Sequence, residues 1–144
     1  MIAGVCRVRV RYSDTDAMAV AHHSRHLAWF EVGRTELMRA TGSSYAGLEA
    51  AGLGLPLIGV GVRYLSPARY DDLLDIETCV EKRSPVRLTF AYRIRRTDKG
   101  KNVATGWTEH VLVDRRFRPV RFPRDLCAVL DANRSYPAMQ EAAC

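Results

Sequence analysis

Over residues 5–12 the chain alternates, with Val8, Val10 and Tyr12 on one side of the pattern and Arg7, Arg9 and Arg11 on the other. A period of two belongs to a strand with one buried face, and a strand is expected here. Ser13, Asp14, Thr15 and Asp16 end it, because short polar side chains bond to nearby backbone and favour turns. From Ser24 the period changes. Leu27, Phe30, Arg34, Leu37 or Met38, and Thr41 recur every three or four residues, while Glu31, Arg34, Glu36 and Arg39 supply a polar face. Ser24 is placed to cap the start of a helix and Gly42 to end it in a left-handed turn. Such a helix has about 18 residues and spans roughly 27 Å. Nothing else in the chain is as long or as clearly helical.

Residues 43–56 are small and Gly-rich, with one short amphipathic piece around 45–51. Strand patterns follow. Residues 57–64 form one run, closed by Ser66-Pro67-Ala68, and in the next Leu74, Ile76, Thr78 and Val80 alternate with Asp75, Glu77 and Glu81. The clearest alternation sets Val86, Leu88, Phe90, Tyr92 and Ile94 against Arg87, Thr89, Ala91, Arg93 and Arg95. Asp98-Lys99-Gly100-Lys101 is a hairpin turn, and residues 102–114 are its return strand, with Val103, Thr105, Trp107, Val111 and Val113 on one side. Pro119 and Pro123 break the chain before a short helix at 124–133. Strands joined by short turns pair antiparallel, and their apolar face needs a partner. The long helix is the only one large enough. The expected fold is therefore α+β, an antiparallel sheet wrapped around one long central helix. It forms a single domain over 1–134, with a loose tail at 135–144. Exposed edge strands favour association between subunits.

A chain of 144 residues fits one domain with a real core. No run of about 18 apolar residues is present, so no membrane span is expected. Arg7, Arg9 and Arg11 interrupt the apolar stretch that a secretory signal needs, and a cytoplasmic location follows as the default. Cys6, Cys79, Cys127 and Cys144 are scattered with no CxxC pair, which leaves a disulfide framework or zinc knuckle without support. Net charge is +6 and the pI about 9.5. That balance suits an anionic partner: nucleic acid, an acidic carrier protein or the phosphates of coenzyme A. Nucleic acid is set aside, because the arginines alternate along strands and no basic-aromatic recognition motif accompanies them.

Acid, histidine and a helix start fall close together between Tyr12 and Arg34. A carboxylate such as Asp16 can act as nucleophile or as the base that activates water. The first amides of a helix lack intrahelical partners and can hold the oxyanion of an attacked carbonyl. A thioester suits that chemistry, since a thiolate leaves readily. The same residues also admit a plainer reading, with Asp14 and Asp16 as turn formers and His23 as a neighbour of the cap. His22 and His26 stand four apart, but zinc needs three or four ligands and the remaining histidine, His110, is distant. Neither a metal nor a cofactor is expected. No GxSxG nucleophile motif is present.

The run Tyr12-Ser13-Asp14-Thr15-Asp16, then Val20-Ala21-His22-His23, then Leu27-Ala28-Trp29-Phe30-Glu31 and Arg34, resembles the hotdog-fold acyl-CoA thioesterases. The nearest group is the 4-hydroxybenzoyl-CoA thioesterase and YbgC-like branch. Tyr70-Asp71-Asp72 through Ile76-Glu77-Thr78 and the strands at 86–114 extend the likeness over nearly the whole chain. The resemblance implies that Asp16 is the catalytic carboxylate and that His23 assists, its backbone amide polarising the carbonyl. It gives Tyr12 an assisting role found in some members. It also implies a dimer with active sites at the interface, often doubled to a tetramer. Ala19 stands where the family has glycine, and His22 and His26 where it has tyrosines, which bears on substrate choice. The expected activity is hydrolysis of a small aromatic or short-to-medium-chain acyl-CoA. The alternatives are a thioester on an acyl carrier protein, in lipid or polyketide synthesis, and acyl binding without catalysis. Lys82, Arg83 and Arg87, or Arg115, Arg116 and Arg118, are placed to meet the coenzyme A phosphates.

Overall fold

The computed structural model describes residues 4–134, and the expected tail at 135–144 lies outside them. Five strands form one antiparallel sheet: β1 (Val5–Arg9), β2 (Leu57–Tyr64), β3 (Leu73–Arg83), β4 (Arg87–Arg96) and β5 (Asn102–Val111). Their order across the sheet is β1-β3-β4-β5-β2, so β1 and β2 are its edges. Three helices accompany them: α1 (Arg25–Ala40), α2 (Tyr45–Ala50) and α3 (Arg124–Ala132). No helix among the described residues is long and apolar enough to cross a membrane.

Helix α1 lies across β3, β1 and β4. The stripe it buries is His26, Trp29, Phe30, Gly33, Leu37 and Met38, a face rotated from the expected one. Leu27, placed on the buried face by periodicity, is 39% exposed. Gly33 sets the closeness of the approach. A Cβ there would run into Thr78 Oγ1 and stand 2.9 Å from Ile76 Cγ2. The helix ends as Gly42 predicts: its φ is +82°, the Ser43 amide bonds Met38 O and the Gly42 amide bonds Arg39 O. Its start differs. Ser24 has helical torsions and its side chain caps nothing; the hydroxyl lies 2.8 Å from His22 Nδ1 instead.

Beneath α1, Leu74, Ile76, Thr78 and Val80 of β3 and Leu88, Phe90, Tyr92 and Ile94 of β4 point inward, as their alternation requires. Phe30 stacks on Tyr92 at 4.3 Å. Strand β1 is shorter than its pattern, ending at Arg9, and Tyr12–Asp14 makes a turn of 3₁₀ helix. Strand β5 keeps Val103 and, past its end, Val113 buried as their pattern expects, but over 104–112 it turns the opposite face inward. Ala104, Thr108, His110 and, past its end, Leu112 are buried, whereas Trp107 is 41% exposed on the outer face beside Gly61. Buried polar groups are tolerated where they are bonded. Tyr92 Oη stands 2.5 Å from Thr108 Oγ1, which is 2.8 Å from His110 Nε2, and His110 Nδ1 donates to Leu55 O at 3.1 Å. That chain of partners carries two polar residues into the core.

Edge strand β2 is left open. Leu57, Ile58, Val60 and Tyr64 are exposed along it.

Candidate active site

The turn after β1 is held at both ends. The Asp16 amide bonds Val20 O at 3.0 Å, the Ala19 amide bonds Asp16 O at 2.9 Å, and Thr15 bridges Ala21. Ala19 closes this loop with φ +61°, a left-handed torsion that costs a residue bearing a Cβ. The Ala21 amide then bonds Ala68 O at 2.7 Å, tying the loop to the connection between β2 and β3.

Asp14 is the buried clamp of the turn, at 1% exposure. Its carboxylate accepts the Arg11 amide at 2.8 Å and the Arg11 guanidinium at 3.1 Å, with Arg25 at 3.6 Å. Burial alone would raise its pKa; the Arg11 bonds and the two positive charges outweigh burial and hold the carboxyl below its usual range. Its backbone carbonyl accepts the His22 amide at 2.8 Å. Asp14 therefore fixes the approach to the helix, a role beyond that of a turn former.

Two residues later the carboxylate of Asp16 faces a different environment. Its Oδ1 accepts the Met18 amide at 2.8 Å, and Oδ2 is uncommitted among the described residues. Asp16 and His23 line one cleft of ≈ 390 Å³ with Val20, His26, Tyr64 and Ala68. The His23 amide, just ahead of α1, has no hydrogen-bond partner among the described residues. An unbonded amide just ahead of the helix and a half-free carboxylate thus belong to two residues that line the same space. The other end of the His23 residue is tightly held. Its carbonyl accepts the Tyr64 hydroxyl at 2.7 Å and His26 Nδ1 at 3.3 Å. His26 packs edge-on against Trp29 and Tyr64, and burial lowers its pKa. The His22 ring stacks on that of His23 at 4.0 Å.

The other residues singled out from sequence lie elsewhere. Tyr12 is 79% exposed, edge-on to Tyr70 at 5.7 Å, and is not among the residues lining the cleft. Lys82, Arg83 and Arg87 sit at the β3–β4 turn, the opposite end of the sheet from Tyr64. Arg83 pairs with Asp131 at 2.8 Å and Arg87 with Glu109 at 3.0 Å. Arg116 and Arg118 belong to a loop whose amides bond the Asp114 carboxylate, and Arg115 lies across Gly52. No group of three or more potential metal ligands converges among the described residues. Tyr64 carries no local sequence signal for its role, since only the fold brings residue 64 against residue 23.

Comparison with known proteins gives this geometry a context. A family model described as the thioesterase-like superfamily matches residues 10–130. The acyl-CoA thioesterase YbgC of Haemophilus influenzae is 34% identical over 123 residues, which covers 84% of this chain and 89% of that protein. Among solved structures, a DHNA-CoA thioesterase from Staphylococcus aureus superposes with a TM-score of 0.86 at 28% identity, over 98% of this chain and 95% of that one. The protein TT1821 of Thermus thermophilus superposes with a TM-score of 0.85 at 32% identity, over 90% and 98% of the two chains.

Proposed function

The chain belongs to the thioesterase-like superfamily and has the hotdog fold, and we propose that it hydrolyses the thioester of a small aromatic or short-to-medium-chain acyl-CoA. The observation that carries this reading is that Asp16 and His23, whose amide is unbonded among the described residues, line one cleft.

In the proposed reaction Asp16 Oδ2 takes a proton from water as the water oxygen bonds to the thioester carbon. The carbonyl electron pair moves onto its oxygen, where the His23 N–H holds the charge. Collapse breaks the C–S bond. The proton that Asp16 took from water passes to the thiolate, relayed by the His23 imidazole, which gives one proton as it takes another, so that Asp16 is a carboxylate again. The family's other route, direct attack by Asp16, uses the same atoms and passes through an anhydride that water cleaves.

The open β2 edge supports a homodimer. Antiparallel pairing of two β2 strands would bury Leu57, Ile58 and Val60 and bring the Leu57 end of one subunit beside the Tyr64 end of the other. The exposed Trp107 face offers a further surface for a tetramer. Coenzyme A phosphates are assigned to Lys82, Arg83 and Arg87 of a neighbouring subunit. Within one subunit these residues stand about 17–24 Å from the Tyr64 end, five to seven strand residues away.

Steady-state hydrolysis of aromatic, short-chain and long-chain acyl-CoAs by wild type and Asp16→Asn tests the reading. A loss of about 100-fold or more in kcat is expected for the variant. Equal rates in the two proteins would remove Asp16 from the mechanism. Turnover of carrier-linked acyl groups without turnover of the CoA esters would move the activity to an acyl carrier protein.

A further inference from the structure

A second and larger cavity, ≈ 680 Å³, opens beside the middle of α1, where α2 and the segment leading into β2 meet it. Leu53, Leu55, Val113 and Phe117 give it apolar walls, and Arg34 and Tyr45 are among its polar residues, with Glu31, Glu49, Asp114 and Arg115. The size is that of a small-molecule pocket.

The polar pair has no anionic partner among the described residues: the Arg34 guanidinium sits beside the Tyr45 and Tyr92 hydroxyls. Arg34 makes no ion pair with a carboxylate among the described residues; Glu31 and Glu49 line the cavity at its exposed rim, outside ion-pair reach. The Tyr45 hydroxyl is buried and meets no hydrogen-bond partner among the described residues. Its neighbour Tyr92 differs, since that hydroxyl is met by Thr108. Burial raises both phenols, Tyr92 to about 12, against the opposing charge of Arg34, so both hold their protons at neutral pH. A buried O–H without an acceptor is costly to keep, and an acceptor supplied from outside resolves it. A guanidinium fork beside a hydroxyl matches a carboxylate.

We propose that this cavity seats the far end of the acyl group, and that this end carries a carboxylate bound by Arg34 and the Tyr45 hydroxyl; the inference rests on the acyl-thioester reading above. Arg34 lies about 12 Å along the helix axis from His26, which lines the Asp16 cleft. The antiparallel β2 pairing proposed above would also carry this cavity toward the neighbouring subunit's cleft. Glu31, Glu49 and Asp114, which also line the cavity, disfavour a free anion. A carboxylate tethered to a bound thioester enters at a high effective concentration and overcomes that repulsion.

Binding of two non-hydrolysable coenzyme A thioethers, one ending in a carboxylate and one of equal length ending in methyl, tests this by titration calorimetry. Wild type is expected to bind the carboxylate form about tenfold or more tightly, as loss of a charged hydrogen bond implies. Tyr45→Phe, which keeps the ring and its packing, and Arg34→Gln should each bring the two affinities together. In hydrolysis of the matching thioesters the change should fall in KM rather than kcat. Equal binding of both thioethers to wild type would overturn the inference alone, as would a preference that survives both substitutions. Binding of neither would overturn the coenzyme A reading, and the inference with it.

Discussion

The Tyr64 hydroxyl, at the end of an edge strand, donates a 2.7 Å hydrogen bond to the carbonyl of His23, 41 residues earlier at the threshold of the long helix. It holds a residue that lines the cleft beside Asp16, and His26 Nδ1 approaches the same carbonyl at 3.3 Å. Tyr64→Phe should cost about 1 kcal/mol of stability, since the hydroxyl is its one lost bond. A several-fold fall in kcat with an unchanged circular dichroism spectrum would accompany it. Unaltered kcat would show that the backbone at His23 needs no such support.

Ala19 pays for its left-handed torsion with strain at the loop that presents Asp16. Ala19→Gly should raise stability by about 0.5–1 kcal/mol, seen as a rise in Tm of roughly 2–4 °C. A fall in Tm would mean that the extra freedom glycine brings to the unfolded chain outweighs the relief.

Gly33→Ala tests the helix-to-sheet contact. Helix propensity alone would favour alanine by about 1 kcal/mol. The added methyl, however, meets Thr78 and Ile76, β-branched side chains with little freedom to move aside. Overpacking of this kind costs roughly 1–3 kcal/mol, so urea denaturation should show a net loss.

His110 supplies a pH dependence. Burial chiefly lowers its pKa to about 4, with the charge of Arg34 acting the same way and the Leu55 carbonyl bond opposing. The folded state thus holds it neutral while the unfolded chain protonates near 6.5. The stability this contributes is whole above the unfolded value and drains away as pH falls from 6.5 toward 4, by up to about 3 kcal/mol. Burial lowers His26 too, which adds to the same slope. Urea midpoints at pH 7.5, 5.5 and 4.5 should decline in that order, and His110→Gln should flatten the decline. A flat profile in wild type would contradict the buried, neutral assignment.

Val60→Lys places a charge on the open edge without touching the buried core of one subunit. Sedimentation should then report a smaller assembly than wild type, with thioester hydrolysis reduced in step. An unchanged mass would move the subunit contact away from β2.

The periodic elements were legible because each repeats one physical demand many times. Strand β2 runs over Leu57–Tyr64 and helix α3 over Arg124–Ala132, close to their patterns, and Gly42 ends α1 where expected. Asp16 and His23 were legible as neighbours in sequence, and the fold gathers them in one cleft. What escaped depends on distant partners. Thr108 and His110 read as the polar face of β5 until Tyr92 and the Leu55 carbonyl are there to satisfy them. Ser24 has the right residue type for a cap, but its hydroxyl is drawn to His22. The meeting of Arg34 with Tyr45 and Tyr92 joins a helix, a short second helix and a strand, and no spacing along the chain foretells it.

The strand order carries a consequence for how the molecule is made. Strands β3, β4 and β5 follow one another as hairpins and pair with their immediate neighbours, a local and therefore rapid assembly. The edges are different: β1 joins β3 through Val5 and Glu77, and β2 joins β5 through Leu57 and His110. On the ribosome the residues around Asp16 and His23 emerge early, yet the surface that α1 must cover and the strand that holds β2 arrive only with the later hairpins. Tyr64 cannot be placed against His23 until β5 is out. Asp16 and His23 are synthesised early and their cleft is shaped last, and during that interval the apolar face of α1 waits for the sheet that covers it.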